Sequence, residues 1–389
     1  MTNPVGPLSD ADEQFCHQIP ETFGSVGTSE LSWTEKVCAM AAARDGSLQL
    51  GFGLGKYTNR NVMDAYAGIS RGREQVTVRA SRRLSPTPDT TVIGPVRYEV
   101  LEPMRVVRFS LEPNDTQPIA YEWTFEAAVP PATEERTHQR ASSGYRVSAD
   151  LVRYHQIGVA SGWVEVDGDR IEFTEQDWVS TRDHSWGVRY DVGMAPVDLE
   201  PGFGLEIPGV RFLMLWSPTL MERPDGSRYG LFLHLVHTEA PGFLRRTITG
   251  GVEEPDGTVN AWTDLVPSLG FDPRNRRLLG GTIEATTADG ARRTIELEVL
   301  GDTGFHLGTG LYFGWRGEHH GSWRGELHVD GERLLDCTDA TLARDLHQIR
   351  DTVVRVHDPV GGGTGVGNCQ PIVTGAWPEL ELEEVSSFV

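Results

Sequence analysis

The segment Asp177-Trp178-Val179-Ser180-Thr181-Arg182-Asp183-His184-Ser185-Trp186-Gly187-Val188-Arg189 carries a carboxylate, an imidazole, an indole and two guanidinium groups within the eight residues from Arg182 to Arg189. Those are the groups that proton transfer beside an aromatic wall requires. On a strand, period two places Asp183, Ser185 and Gly187 on one face and Arg182, His184, Trp186 and Val188 on the other. Asp183 then joins His184 and Trp186 only across a bulge or a domain seam. Two roles stay open for it: a general acid with its pKa raised by burial, or a structural ion-pair partner of Arg182 or Arg189. His184 reads as base or relay beside Trp186, with Tyr154 or His234 as a second proton handler. Trp163, Trp178, Arg189 and Phe232 are assigned to substrate contact.

Other chemistries lack their residues. Lys36 and Lys56 are the only lysines, so a Schiff base would have to use one of them. Gly55-Lys56 is followed by Tyr57 and has Leu50 where a P-loop needs its first glycine. The glycine run 361–367 does not have dinucleotide-binding spacing and reads as a loop across a barrel mouth. Gly68-Ile69-Ser70-Arg71-Gly72 matches a nucleophile elbow, but a strand rather than a helix follows it. His319-His320, like His234 and His237, point to opposite faces of a strand and make no metal pair. Cys16, Cys38, Cys337 and Cys369 have no zinc-ligand spacing and read as reduced thiols. The sequence therefore predicts no metal and no cofactor.

The elements that position these groups read as β-structure. Six Asp-Gly pairs, at 45–46, 167–168, 225–226, 256–257, 289–290 and 330–331, punctuate segments of period two such as Thr294-Ile295-Glu296-Leu297-Glu298-Val299. Asp-Gly suits a type I′ hairpin because both residues tolerate positive φ. One helix is expected, Thr338 to Arg350, capped at Asp336 or Thr338, while Ala39 to Ala43 is either helix or strand. The pattern from Gly158 to Ile171 recurs at an offset of 163 from Gly321 to Leu334, which suggests two copies of one β domain. Breaks at Met194-Ala195-Pro196 and Glu200-Pro201-Gly202 place the boundary so that the domains are 1–195 and 196–389.

In a chain of 389 residues, 35 Lys+Arg stand against 56 Asp+Glu, a net charge of −21 that disfavours nucleic acid as a partner. No run of 18 apolar residues and no signal-like N-terminus is found, so the expectation is no membrane span and a cytoplasmic protein. Assembly as a homodimer is left open.

Tyr154-His155-Gln156-x-Gly158-x-x-Ser161-Gly162-x-Val164-x-Val166-Asp167-Gly168, followed by Arg182-Asp183-His184-Ser185-Trp186-Gly187-x-Arg189, resembles the AttH/carotenoid-hydratase superfamily. The resemblance implies an all-β protein of two tandem lipocalin-like antiparallel barrels. It also implies a hydratase, dehydratase, isomerase or cyclase that acts on a terpenoid, steroid-like or polyketide-like substrate, with His184 and Trp186 carried over as site residues. Where the hydratase branch has Tyr-x-Asp, this sequence has Phe232-Leu233-His234, so another group must donate the proton. A non-catalytic carrier of a small hydrophobic ligand is the rival reading.

Overall fold

The computed structural model describes residues 8–13, 15, 17–141, 145–194, 209–346 and 349–383. Alternation of side chains builds two curved antiparallel sheets. In the strand Ile119–Ala127, for instance, Ile119, Tyr121, Trp123 and Phe125 point inward to the first core, as period two requires. The first sheet contains fourteen strands and the second nine. The second closes into a ring because Arg292–Val299 pairs with Arg350–Asp358. Ala39 to Ala43 resolves as strand, within Trp33–Ala43.

Three adjacent strands of the first sheet, Trp33–Ala43, Trp178–Val188 and Val147–Val166, carry apolar residues on both faces. One face, with Val37, Ala39, Ala41, Ala160, Val164 and Trp178, closes the first barrel. The other, with Met40, Ala42, Ile157, Val159 and Val179, packs on Leu220, Leu300, Val353 and Val366 of the second half. That apolar contact is the seam between the barrels. Gly187 is required where it stands: it has φ 135°, and a Cβ there would lie 2.0 Å from the Asp150 carbonyl oxygen of the neighbouring strand.

Several sequence expectations are corrected. Five Asp-Gly pairs lie in turns, but only Asp167-Gly168 has both residues at positive φ. At the other four only the glycine does, and the aspartate accepts a backbone N–H two residues on, as Asp45 does from Ser47 at 2.9 Å. Asp330-Gly331 is no turn. It lies inside the strand Leu327–Leu334, which pairs along its length with Glu74–Arg83 of the first sheet. Asp330 and Glu332 grip the buried Arg79 on that strand, and Gly331 allows close approach, a Cβ there falling 2.4 Å from the Thr77 carbonyl oxygen. The match at offset 163 is therefore not a structural repeat: Gly158 to Ile171 makes strand, turn and strand, whereas Gly321 to Leu334 makes a loop and one strand. The helix is confined to Ala340–Asp345, and its N-cap is Asp339, whose carboxylate accepts from the Leu342 N–H at 2.8 Å. Arg350 opens the next strand instead of ending the helix. The expected boundary at 195/196 lies outside the described residues.

Candidate functional site

A cavity of ≈ 410 Å³ opens between the first domain's Pro130, Pro131, Ala132 and Thr133 and the wall of the second barrel. It exists because two neighbouring strands of that wall splay. Phe243–Glu253 and Val259–Phe271 are paired only at Gly251–Glu253 with Val259–Ala261, and Ile248, Thr249, Gly250 and Trp262 line the gap. Phe232 and Trp262 give it aromatic walls, and His155 and Glu253 are its hydrogen-bonded titratable pair.

Val147–Val166 presents His155 to the seam, where the ring stacks on Phe232 with centroids 3.7 Å apart. Nε2 lies 2.8 Å from Glu253 Oε1, and Nδ1 lies 3.4 Å from Glu134 Oε1. Burial works against the imidazolium, but the hydrogen bonds and charges of the two glutamates outweigh it and raise His155 to about 9. Burial likewise opposes ionisation of Glu134, yet Arg153 and His155 hold it at about 2. Trp216 Nε1 donates to the same carboxylate at 2.8 Å. The second oxygen of Glu253 is buried and has no hydrogen-bond partner.

Asp183 faces the seam as well, directly opposite His155 in the strand register. Its ion pair is with Arg153 at 3.0 Å, and Arg153 also reaches Glu134 at 3.4 Å. Neither arginine named from the sequence is its partner. Arg182 points to the other face of the strand and meets Gln156, and Arg189 donates to Ser185 Oγ at 2.6 Å. His234 adjoins the network, with Nδ1 3.9 Å from Glu134, and burial pushes it down to about 4, so it is neutral at pH 7.

The remaining residues singled out lie apart from the cavity. His184, Trp186 and Tyr154 share the mouth of the first barrel, where His184 Nδ1 is 3.2 Å from the Tyr154 hydroxyl and Nε2 is 3.0 Å from Glu35. Trp186 stands edge-on to His184 at 5.7 Å. Trp178 stacks on Phe173 in the first core, and Trp163 lies under the Arg170 guanidinium. Of the nine, Phe232 is the one that lines the cavity. Sequence reasoning missed His155, Glu253 and Glu134. His155 stood inside the Tyr154-His155-Gln156 run, and period two would have put it on the face opposite Tyr154. Glu253 and Glu134 gave no local signal, because they meet His155 only through tertiary packing.

Two antiparallel β-barrels packed against each other define the class of fold, one that a solved structure of another protein shares. The chain belongs to a family of unknown function, DUF8625, whose model matches residues 8–377. A protein named for AttH from Nitrosomonas europaea shares the fold at 12% identity and a TM-score of 0.51, over 95% of this chain and 99% of that one. Kievitone hydratase from Nectria haematococca aligns at 9% identity over 95% and 96% of the two chains, with a TM-score of 0.43. CghA aligns at 11% identity over 91% and 89%, with a TM-score of 0.45. Those two values are too low to bear on function. No curated protein matches the sequence at a significant level.

Proposed function

We propose that the protein is an acid–base enzyme, a hydro-lyase or double-bond isomerase, acting on a small hydrophobic terpenoid, steroid-like or polyketide-like molecule held in the seam cavity. The observation that carries this reading is the His155–Glu253 pair on the wall of an aromatic-sided cavity. The His155 imidazolium and the Glu253 carboxylate, 2.8 Å apart, share a hydrogen bond along which one proton can pass from the ring to the carboxylate during the reaction. Glu253 then presents a carboxylic acid or a carboxylate to the cavity, and His155 reloads or drains it from behind.

In dehydration, Glu253-H protonates the leaving hydroxyl, the C–O bond breaks, and water departs. The carboxylate then removes a proton from the adjacent carbon, whose electron pair forms the double bond. Hydration is the reverse. In isomerisation the same carboxylate removes a proton from one carbon and the acid returns it to another. Phe232 and Trp262 flank the developing positive charge. Glu134, Arg153 and Asp183 are positioning residues that fix the charge behind His155, and His234 borders them. His184, Trp186 and Tyr154 lie on the far face of the strand and in this reading do not touch the substrate.

The experiment assays purified protein against terpenoid allylic alcohols, steroid-like enones and polyketide-like β-hydroxy carbonyls for gain or loss of water or a shifted double bond. One class should turn over, and Glu253→Gln should lower that turnover on the order of 10²–10⁴-fold at unchanged fold, the range for lost general acid–base catalysis. Saturable binding without turnover in every class would identify a carrier instead.

A further inference from the structure

We infer that the mouth of the first barrel is a second ligand site, independent of the seam cavity, which takes an organic carboxylate with an apolar tail through the buried guanidinium of Arg182. Arg182 projects from Trp178–Val188 into the first barrel with 2% of its surface exposed. Its hydrogen-bonded side-chain partners are neutral, the Gln156 amide oxygen at Nη2 and the Tyr98 hydroxyl. Nε and Nη1 are buried without a partner. Among the described residues no carboxylate lies within ion-pairing distance. The groups around it are the Phe125 and Tyr154 rings, each 5.5 Å from Cζ, and Tyr98, which senses its charge.

Among the described residues, other buried guanidinium groups leave at most one nitrogen without a hydrogen-bond partner, as Arg350 does at Nη1 and Arg189 at Nε, against two for Arg182. Arg79 pairs with Asp330 and Glu332, and Arg153 with Asp183 and Glu134. Arg276 and Arg350 donate to backbone carbonyls. A buried charge lacking a counter-ion is costly to the fold, and two parallel N–H groups match the two oxygens of a carboxylate. Glu35, on the neighbouring strand, is hydrogen-bonded to His184 rather than to Arg182.

The rim supplies the second half of the argument. Trp186 is 36% exposed. Met104, whose carbonyl oxygen accepts from Gln156 beside Arg182, is 53% exposed. Val100 lies two residues on from Tyr98 in the strand Val96–Glu102, on the same face, and is 54% exposed. A cation below an uncovered apolar rim fits an amphipathic carboxylate: the head reaches Arg182 and the tail lies across Trp186, Met104 and Val100. Neither the His155–Glu253 pair nor the proposed reaction enters this argument.

The test uses the full-length protein with sodium decanoate as the probe and decanol as its neutral counterpart, read by calorimetry and by Trp186 fluorescence. Decanoate should bind saturably and at least tenfold more tightly than decanol. Arg182→Gln should lose that preference at a retained melting temperature, and Glu253→Gln should keep it. Should Arg182→Gln fail to fold, Arg182→Lys keeps the charge but not the bidentate fork, and decanoate affinity should drop at least severalfold. Equal binding of decanoate and decanol, no saturable binding of either, or undiminished decanoate affinity in a folded Arg182 variant would overturn the site. If only Glu253→Gln abolishes decanoate binding, the probe occupies the seam cavity and the second site is refuted.

Discussion

His155 sits between two glutamates, and its proton balance makes a stability prediction. The folded-state value of about 9 exceeds the unfolded value near 6.5, so its stabilising contribution is full below pH 6.5 and is lost as pH rises through 9. The shift corresponds to about 3 kcal/mol for this buried group. Asp351 acts in the same direction at lower pH. Burial raises it to about 6 despite hydrogen bonds from Asn368 and Gln370, so folding gains stability as pH falls through 6 toward the ordinary carboxylate value. Glu134, held at about 2, has the opposite sign, and its contribution is lost only as pH falls from the ordinary range through 2. Thermal unfolding followed from pH 9.5 to 6.5 should therefore show a rising melting temperature, and His155→Gln should flatten that rise. An unchanged slope in the variant would mean that His155 is not the group taking up the proton.

At the scale of elements, the strand Leu327–Leu334 decides what can fold. It comes from the second half of the sequence and completes the edge of the first sheet, where Glu332 receives Arg79, the Trp315 indole N–H and Arg316. Glu332→Gln leaves the Arg79 guanidinium buried with only the partly exposed Asp330 as an anion. Removing one member of a buried pair costs about 3–5 kcal/mol, and the remaining pair keeps the loss toward the lower end. Chemical denaturation should show that loss, and a change within about 0.5 kcal/mol would contradict this role. The same strand shows where sequence reading stops. Period two and turn chemistry, both local, made the β class and five of the Asp-Gly turns legible. Asp330-Gly331 has the same local signature, but it is held straight by Arg79, some 250 residues earlier. The helix Ala340–Asp345 ends where Arg350 joins a ladder that no helical period reports. The candidate site follows the same division. The strand of Asp183, His184 and Trp186 and its two faces were readable, whereas the partners His155–Glu253 and Asp183–Arg153 depend on how strands align across sheets.

At the scale of the molecule, the barrels share an apolar seam and an ion-pair network, so neither can open without exposing Ile157, Val159 and Val179 and the charges beside them. Calorimetry should accordingly show one cooperative transition for the whole chain, and two resolved transitions would mean the seam contributes little. Because the cavity takes its walls from both halves, the proposed chemistry belongs to the assembled pair of barrels. Its most direct measurement is the transfer of solvent deuterium: a compound that the protein turns over is incubated with it in D2O, and carbon-bound deuterium is located by NMR. The account predicts label at a single carbon, the one beside the carbinol carbon in hydration and in the reverse of dehydration, or the one that receives the returned proton in isomerisation, with its rate of appearance cut on the order of 10²–10⁴-fold in Glu253→Gln, the usual loss for a missing general acid–base. Label appearing at the wild-type rate in that variant would contradict the assignment of proton transfer to the seam cavity.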